Sequence, residues 1–282
     1  MNRVKIITDS TADLSKDLVE KYDLGIIPLY VLIEEKSYLD GIEMTTEELY
    51  RQVERTQKLP KTAAPSTGDF HEFFAKWVGA GYDIVYVGLS SKLSATYQAA
   101  RLAAEEFEEG RVWVLDTKNL STGIGILAIK AAELAQKGMD AASIHNEVSS
   151  MVPKVRVSFV IDTLKYLHMG GRCSAVQFLA SSVLKIHPQI IVQDGGMIVG
   201  AKFRGKRTSY LDQFYKEVVG DGSQIDRSRV FVTHSGCAEE EVSEYKNRLE
   251  ALGVSEVLVT QAGTVISSHC GPGTIGIIYI EK

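Results

Sequence analysis

Apolar and polar positions along the first half of this chain keep switching between a two-residue and a helical period. Val4-Lys5-Ile6-Ile7-Thr8 is a short β-branched run that reads as a strand, stopped by Asp9-Ser10-Thr11-Ala12-Asp13. Ser10 with Asp13 three residues on has the form of a capping box, and Ser15 opens an amphipathic helix to residue 22. Residues 25–33 form a second apolar run, bent or at a sheet edge because Pro28 interrupts it. Acidic residues in a first turn place a helix at 45–55. A loop over 59–67 follows, with Thr67 capping a helix at 69–78. A strand at 84–89, a helix to about 107, a strand at 111–115 and helices at 122–136 and 141–150 complete this half. That alternation predicts crossover units and a mainly parallel sheet. Ligands on such sheets sit at the carboxyl ends of the strands, where the loops after Asp9 and Ser90 both fall.

The pattern changes near 151–154, so the expected domains are 1–153 and 154–282. A strand at 155–161 is followed by Gly170-Gly171-Arg172-Cys173-Ser174, with Ser174 placed to cap an almost uncharged segment at 175–184. Strands at 186–192 and 197–202, joined by Gln193-Asp194-Gly195-Gly196, form a hairpin. Strands at 229–233 and 256–261 flank an acidic helix at 238–252, which makes the second domain α+β. Composition narrows the picture. With 282 residues, two domains of about 150 residues are the natural division. A formal charge of −5 argues against a nucleic-acid binder. Cys173, Cys237 and Cys270 are far apart and odd in number, which suits a reducing cytoplasm and offers no thiolate zinc site. The apolar run at 4–7 is too short for a signal peptide, and no uncharged run nears the ~18 residues of a membrane span.

Chemistry concentrates in a few stretches. Residues 85–97 run as an apolar strand, break at Gly88, and offer hydroxyls at Ser90, Ser91, Ser94 and Thr96 before an alanine-rich helix. Backbone N–H groups and positive potential at a helix start make this a candidate anion site, although Ser94 as a plain helix cap explains the same residues. His269-Cys270-Gly271-Pro272-Gly273 sets a histidine before a constrained turn, and Gly170-Gly171-Arg172 pairs flexible backbone with a carboxylate-binding group or simply ends a helix. Gly200 to Lys206 has P-loop spacing, but Arg207 replaces the hydroxyl that would hold magnesium, so it is rejected as a nucleotide site. Lys202, Arg204, Lys206 and Arg207 remain as a basic patch: a solvated face, or a contact for an acidic partner or a transient one for an anionic membrane. No metal-ligand spacing occurs, and Gly-x-Ser-x-Gly is absent, but Ser94 with His269 still leaves an acyl hydrolase acting on lipid-like esters as an alternative function.

Thr8-Asp9-Ser10-Thr11-Ala12-Asp13-Leu14, Thr62-Ala63-Ala64-Pro65-Ser66, Ser90 to Tyr97, Leu164 to Arg172 and His269 to Gly273 occur in the order found in the DegV family of bacterial fatty-acid-binding proteins, which this chain resembles from Ile7 onward. The resemblance implies a two-domain α/β protein with a Rossmann-like N-terminal sheet and a long-chain fatty acid between the domains. The carboxylate would be held by Thr62, Ser94 and His269, with Arg172, Ser10 and Gly171 as headgroup or partner contacts. No cofactor, metal or nucleic acid is implied. Family members present the acid to a separate ATP-dependent fatty acid kinase for phospholipid synthesis; this chain has no nucleotide loop of its own. Three positions depart from the family: Ala95 and Ala63 replace its usual glycine and serine, and His187-Pro188 its Lys-Pro. Ala95 would be strained if φ were positive there and harmless in a helical first turn. An acyl chain of ~14 methylenes, at ~0.8 kcal/mol per buried CH2, supplies roughly 11 kcal/mol gross, while its carboxylate needs donors. Segments 175–184 and 122–129 are expected as its walls.

Overall fold

The computed structural model describes residues 3–173 and 186–282; the segment expected at 175–184, its Ser174 cap and its role as a wall lie outside the described residues. Strand β1 (Arg3–Asp9) is followed by a single 3-10 turn and helix α1 (Lys16–Lys21). The Ser10/Asp13 capping box does not form: Asp9 caps the turn, and Asp13 ends it in the left-handed region. Pro28 does more than bend the second apolar run. It divides the run between β2 (Gly25–Ile27), parallel to β1, and β3 (Tyr30–Ile33), which pairs antiparallel with β4 (Lys36–Leu39) in a separate small sheet. After α2 (Thr46–Thr56), the stretch expected as loop contains β5 (Lys61–Ala63), the third strand of that sheet, with Thr62 opposite Val31. Ser66, rather than Thr67, caps α3 (Thr67–Gly79), in a capping box with Asp69.

Strand β6 (Tyr82–Gly88), helix α4 (Thr96–Ala104) and strand β7 (Val112–Asp116) complete a four-stranded parallel sheet in the order β2-β1-β6-β7. Its strands are apolar on both faces because both are covered. Ile7, Ile84 and Tyr86 pack with Phe70 and Phe74 of α3, while Ile6, Val85 and Val87 join the core around α5 (Thr122–Gln136). Helix α5 is buried almost all round, and its two early glycines explain how. A Cβ on Gly123 would lie 2.5 Å from Val157, and one on Gly125 2.9 Å from the carbonyl of Ala12.

After α6 (Ala141–Met151) the chain enters β8 (Val155–Val160), α7 (Leu164–Gly170), and the hairpin β9 (His187–Gln193) and β10 (Gly196–Phe203). The hairpin turn has φ of 50° at Asp194 and 82° at Gly195, as its Asp-Gly pair predicts. Helix α8 (Arg207–Val219), β11 (Ile225–Ser235), α9 (Glu239–Ala251), β12 (Val257–Gln261), α10 (Thr264–Cys270) and β13 (Thr274–Glu281) follow. The six-stranded sheet is ordered β10-β9-β8-β13-β11-β12, antiparallel except for β11 with β12. Helices α8 and α9 cover one face through Tyr210, Phe214, Tyr245 and Leu249. The other face, with Val157, Phe159 and Ile278, shares a core with α5. The fold is α/β, with a parallel sheet and a mixed sheet packed against a common helix. Among the described residues no helix is long and apolar enough to cross a membrane.

Arg207 does not belong to a solvated basic patch. Its guanidinium binds Glu241, donates 3.1 Å to the Gly273 carbonyl and 2.7 Å to Tyr210 Oη, and so ties α8 to the turn after α10. Lys202, Arg204 and Lys206 are exposed.

Candidate functional site

Three distant segments meet at one cavity of about 200 Å3, lined by Thr62, Ser94, Arg172 and His269 together with Leu29, Leu89, Leu93, Leu120, Met197 and Val265. The Ser94 segment hangs from the carboxyl end of β6. There the buried Asp9 carboxylate accepts from Tyr86 Oη (2.7 Å) and Leu89 N (3.1 Å), and burial pushes its pKa up despite those bonds. Two of the four hydroxyls beyond Gly88 are committed elsewhere. Ser90 donates to the Gly195 carbonyl (2.7 Å), and Ser91 donates to Asp116 (2.6 Å). Ser94 Oγ lies 2.8 Å from Thr96 Oγ1 and accepts from Thr96 N at 3.3 Å. The cap residue of α4 is Ala95, with φ of −74° and no side-chain bond. Ala95 is therefore unstrained, and Ser94 satisfies a helix-start N–H from one position earlier while still lining the cavity.

His269 comes from α10. Its Nε2 lies 2.8 Å from Thr62 Oγ1, while Nδ1 is buried with no partner among the described residues. Burial first, and the Arg172 charge second, push its pKa down to about 4, so the ring is neutral at pH 7. Gly170 is packed against it: a Cβ there would stand 2.5 Å from Nδ1. Gly171 then ends α7 at φ 68°, which lets the chain double back. Arg172 Nη1 donates to the Gly170 carbonyl (2.7 Å), and this exposed cation is on the cavity lining. The result is two hydroxyls, a neutral imidazole and one cation on an otherwise apolar wall. A smaller cavity of about 40 Å3 adjoins it, sharing Leu120 and Ile266 and reaching Val157, Phe159 and Ile278 of the mixed sheet. Such an arrangement suits a singly charged anion on an apolar tail.

Comparison with sequence-family profiles matches residues 3–282 to a family described as "Uncharacterised protein, DegV family". The chain belongs to the DegV family. A DegV domain-containing protein of Caldanaerobacter subterraneus, TTE1491, is 32% identical over the full length of both chains. A DegV family protein from Thermus thermophilus, solved as a fatty-acid-binding protein, is 30% identical with a TM-score of 0.90, covering 99% of this chain and 100% of that one. A stearic acid-binding protein from Eubacterium ventriosum is 27% identical with a TM-score of 0.87, covering 99% and 98%.

Of the DegV motif residues singled out in the sequence, Thr62, Ser94, His269 and Arg172 converge on the cavity. Ser10 and Gly171 do not line it. Ser10 Oγ accepts from Leu29 N (3.0 Å) and so fixes a wall residue, and Gly171 acts through the turn that presents Arg172. Residues 122–129 of α5 are not on either cavity; the loop before them, Leu120 and Ser121, takes that place. The wall residues Leu29, Leu89, Leu93, Leu120, Met197, Val265 and Ile266 are not singled out as walls in the sequence: Leu29 and Leu89 sit in ordinary apolar runs, and Leu93 and Leu120 are lone leucines among polar residues. The first DegV motif has a different use from the one its spacing suggests: Asp13 accepts from Ser121 Oγ and from Gly263 N (2.8 Å), joining the starts of α5 and α10. Burial holds its carboxyl well above the usual range, with Asp40 and Asp9 adding to the rise. Among the described residues no group of three or more His, Cys, Asp or Glu is placed to hold a metal ion.

Proposed function

We propose that this protein binds a long-chain fatty acid, with its carboxylate at Thr62, Ser94 and His269 and its chain running past Leu120 and Ile266 toward the inner cavity. It then presents that carboxylate to a separate ATP-dependent kinase, which makes the acyl phosphate. In this reading the ligand lies where the units 1–153 and 154–282 meet, and the carrier works in the cytoplasm. The observation that carries it is the Thr62–His269 hydrogen bond closing the polar end of an apolar cavity, with a second apolar cavity behind. Fatty-acid binding by family members of known structure supports the same ligand. The acyl hydrolase reading is less well supported. Ser94 Oγ is bonded to Thr96 and His269 Nε2 to Thr62, and among the described residues Nδ1 has no carboxylate to orient the ring.

Mass spectrometry of the denatured protein is expected to find co-purified fatty acid, and delipidated protein to rebind it; delipidated protein indifferent to fatty acids would sink the proposal. Arg172, which donates to the nearby Gly170 carbonyl and is exposed at the rim, is assigned to the reacting head and the kinase. Arg172→Ala is expected to lower phosphorylation by the kinase more than lipid binding, and equal losses would confine it to the pocket. Lys202, Arg204 and Lys206 form a solvated face, with contact to an acidic partner or an anionic membrane as the alternative.

A further inference from the structure

We infer that Asp40 is a positioning residue for the headgroup site, setting where His269 stands by capping the helix that carries it from across the molecule. The inference rests on the fatty-acid reading above. Helix α10 has seven residues, too few to be stable alone, and it presents Val265, Ile266 and His269 to the ligand cavity. Its first N–H groups need partners, yet its cap residue is Gly263, which has no side chain to supply one. Asp40, 224 positions earlier in the turn after β4, provides them. Its Oδ1 accepts from Thr264 N (2.7 Å), Thr264 Oγ1 (2.7 Å) and Val265 N (3.3 Å).

Two further observations single out this carboxylate. It is only 3% exposed, and its other oxygen, Oδ2, has no partner among the described residues, so every side-chain bond it makes goes to α10. Burying a carboxylate is costly unless it is well bonded, and here those bonds serve the first turn of a single short helix. Gly263 is part of the same device, because a Cβ there would come 2.9 Å from Asp40 Oδ1. The backbone of Asp40 also donates to the carbonyl of Leu29 (2.9 Å), a wall residue of the same cavity. One residue therefore fixes both the imidazole helix and part of the apolar wall.

The test compares a charged and an uncharged ligand of equal chain length on delipidated protein, using radiolabelled hexadecanoate and hexadecan-1-ol. Asp40→Ala is expected to weaken hexadecanoate about tenfold or more and hexadecan-1-ol at least about threefold less than that, because the alcohol loses only contacts with Val265 and Ile266 while the acid also loses His269. Asp40→Asn, which keeps an oxygen acceptor facing the helix, is expected to recover most of the acid affinity. If Asp40→Ala does not fold, Gly263→Ala displaces the carboxylate without removing it and should show the same split. Unchanged acid binding, or equal losses for acid and alcohol, would overturn the inference. Unsubstituted protein that binds neither ligand would overturn the fatty-acid reading itself, and is seen before any variant is made.

Discussion

Ser94 and His269 line the same cavity, but the chain holds them there by different means. Ser94 itself makes only near-neighbour bonds among the described residues, Ser94 N donating to the Ser90 carbonyl and Thr96 N to Ser94 Oγ, while its loop is anchored at Ser90, whose hydroxyl donates to the Gly195 carbonyl 105 positions on. The His269 side is tied by long-range ones. Gly263 N reaches Asp13 across 250 positions, Thr264 N reaches Asp40 across 224, and His269 itself meets Thr62 across 207. The long-range anchors of the Ser94 side stop at Leu89, Ser90 and Ser91, before the functional hydroxyl, whereas on the His269 side they include the imidazole itself and the first turn of its helix. The two halves of the site should therefore fail differently.

The largest difference is expected with pH. His269 is kept neutral in the folded protein down to a pKa of about 4, from a reference of 6.5, while the unfolded chain takes up its proton below about 6.5. Falling pH thus favours unfolding, and wild type should lose about 3 kcal/mol relative to His269→Gln between pH 6.5 and 4. Denaturant titrations at several pH values measure this, and parallel curves would show that the imidazole is not buried neutral. Next comes the support shared by both halves. Gly123→Ala drives a Cβ to 2.5 Å from Val157 and should cost about 2–3 kcal/mol in urea unfolding. A cost under about 0.5 kcal/mol would mean that α5 is not clamped between the sheets.

Ligand affinity separates the halves directly. His269→Ala removes a donor and leaves Thr62 without its partner, for about 2 kcal/mol or ~30-fold in Kd, whereas Ser94→Ala removes one locally satisfied hydroxyl, for about 1 kcal/mol or ~5-fold. The reverse order in fatty-acid titrations would break the contrast. The smallest effect belongs to Ala95→Gly. Since φ is already −74°, restoring the family's glycine relieves nothing; affinity should stay within about twofold and stability fall by less than about 1 kcal/mol.

The same contrast explains what could be read from the sequence. The hairpin around Asp194-Gly195, the parallel strands and the long helices are specified by periodicity and turn residues a few positions apart, and these were legible. The turn at Gly271-Pro272-Gly273 is legible, but helix α10 before it has no start signal in its own flank, because its caps come from Asp13 and Asp40. Helix α8 was hidden beneath a phosphate-loop lookalike whose Arg207 in fact binds Glu241. The three-stranded sheet went unseen because its strands are three or four residues long and one lies in a proline-bounded loop.

By itself, then, the sequence determined the class of the fold, the alternation of its elements and the polar residues Thr62, Ser94, Arg172 and His269, since these follow from local pattern and motif. Only the tertiary structure decided that Ser10 serves Leu29, that Gly171 turns the chain toward Arg172, and which leucines wall the cavity. Burial and trans-capping depend on where distant segments meet, and no short-range pattern encodes that meeting.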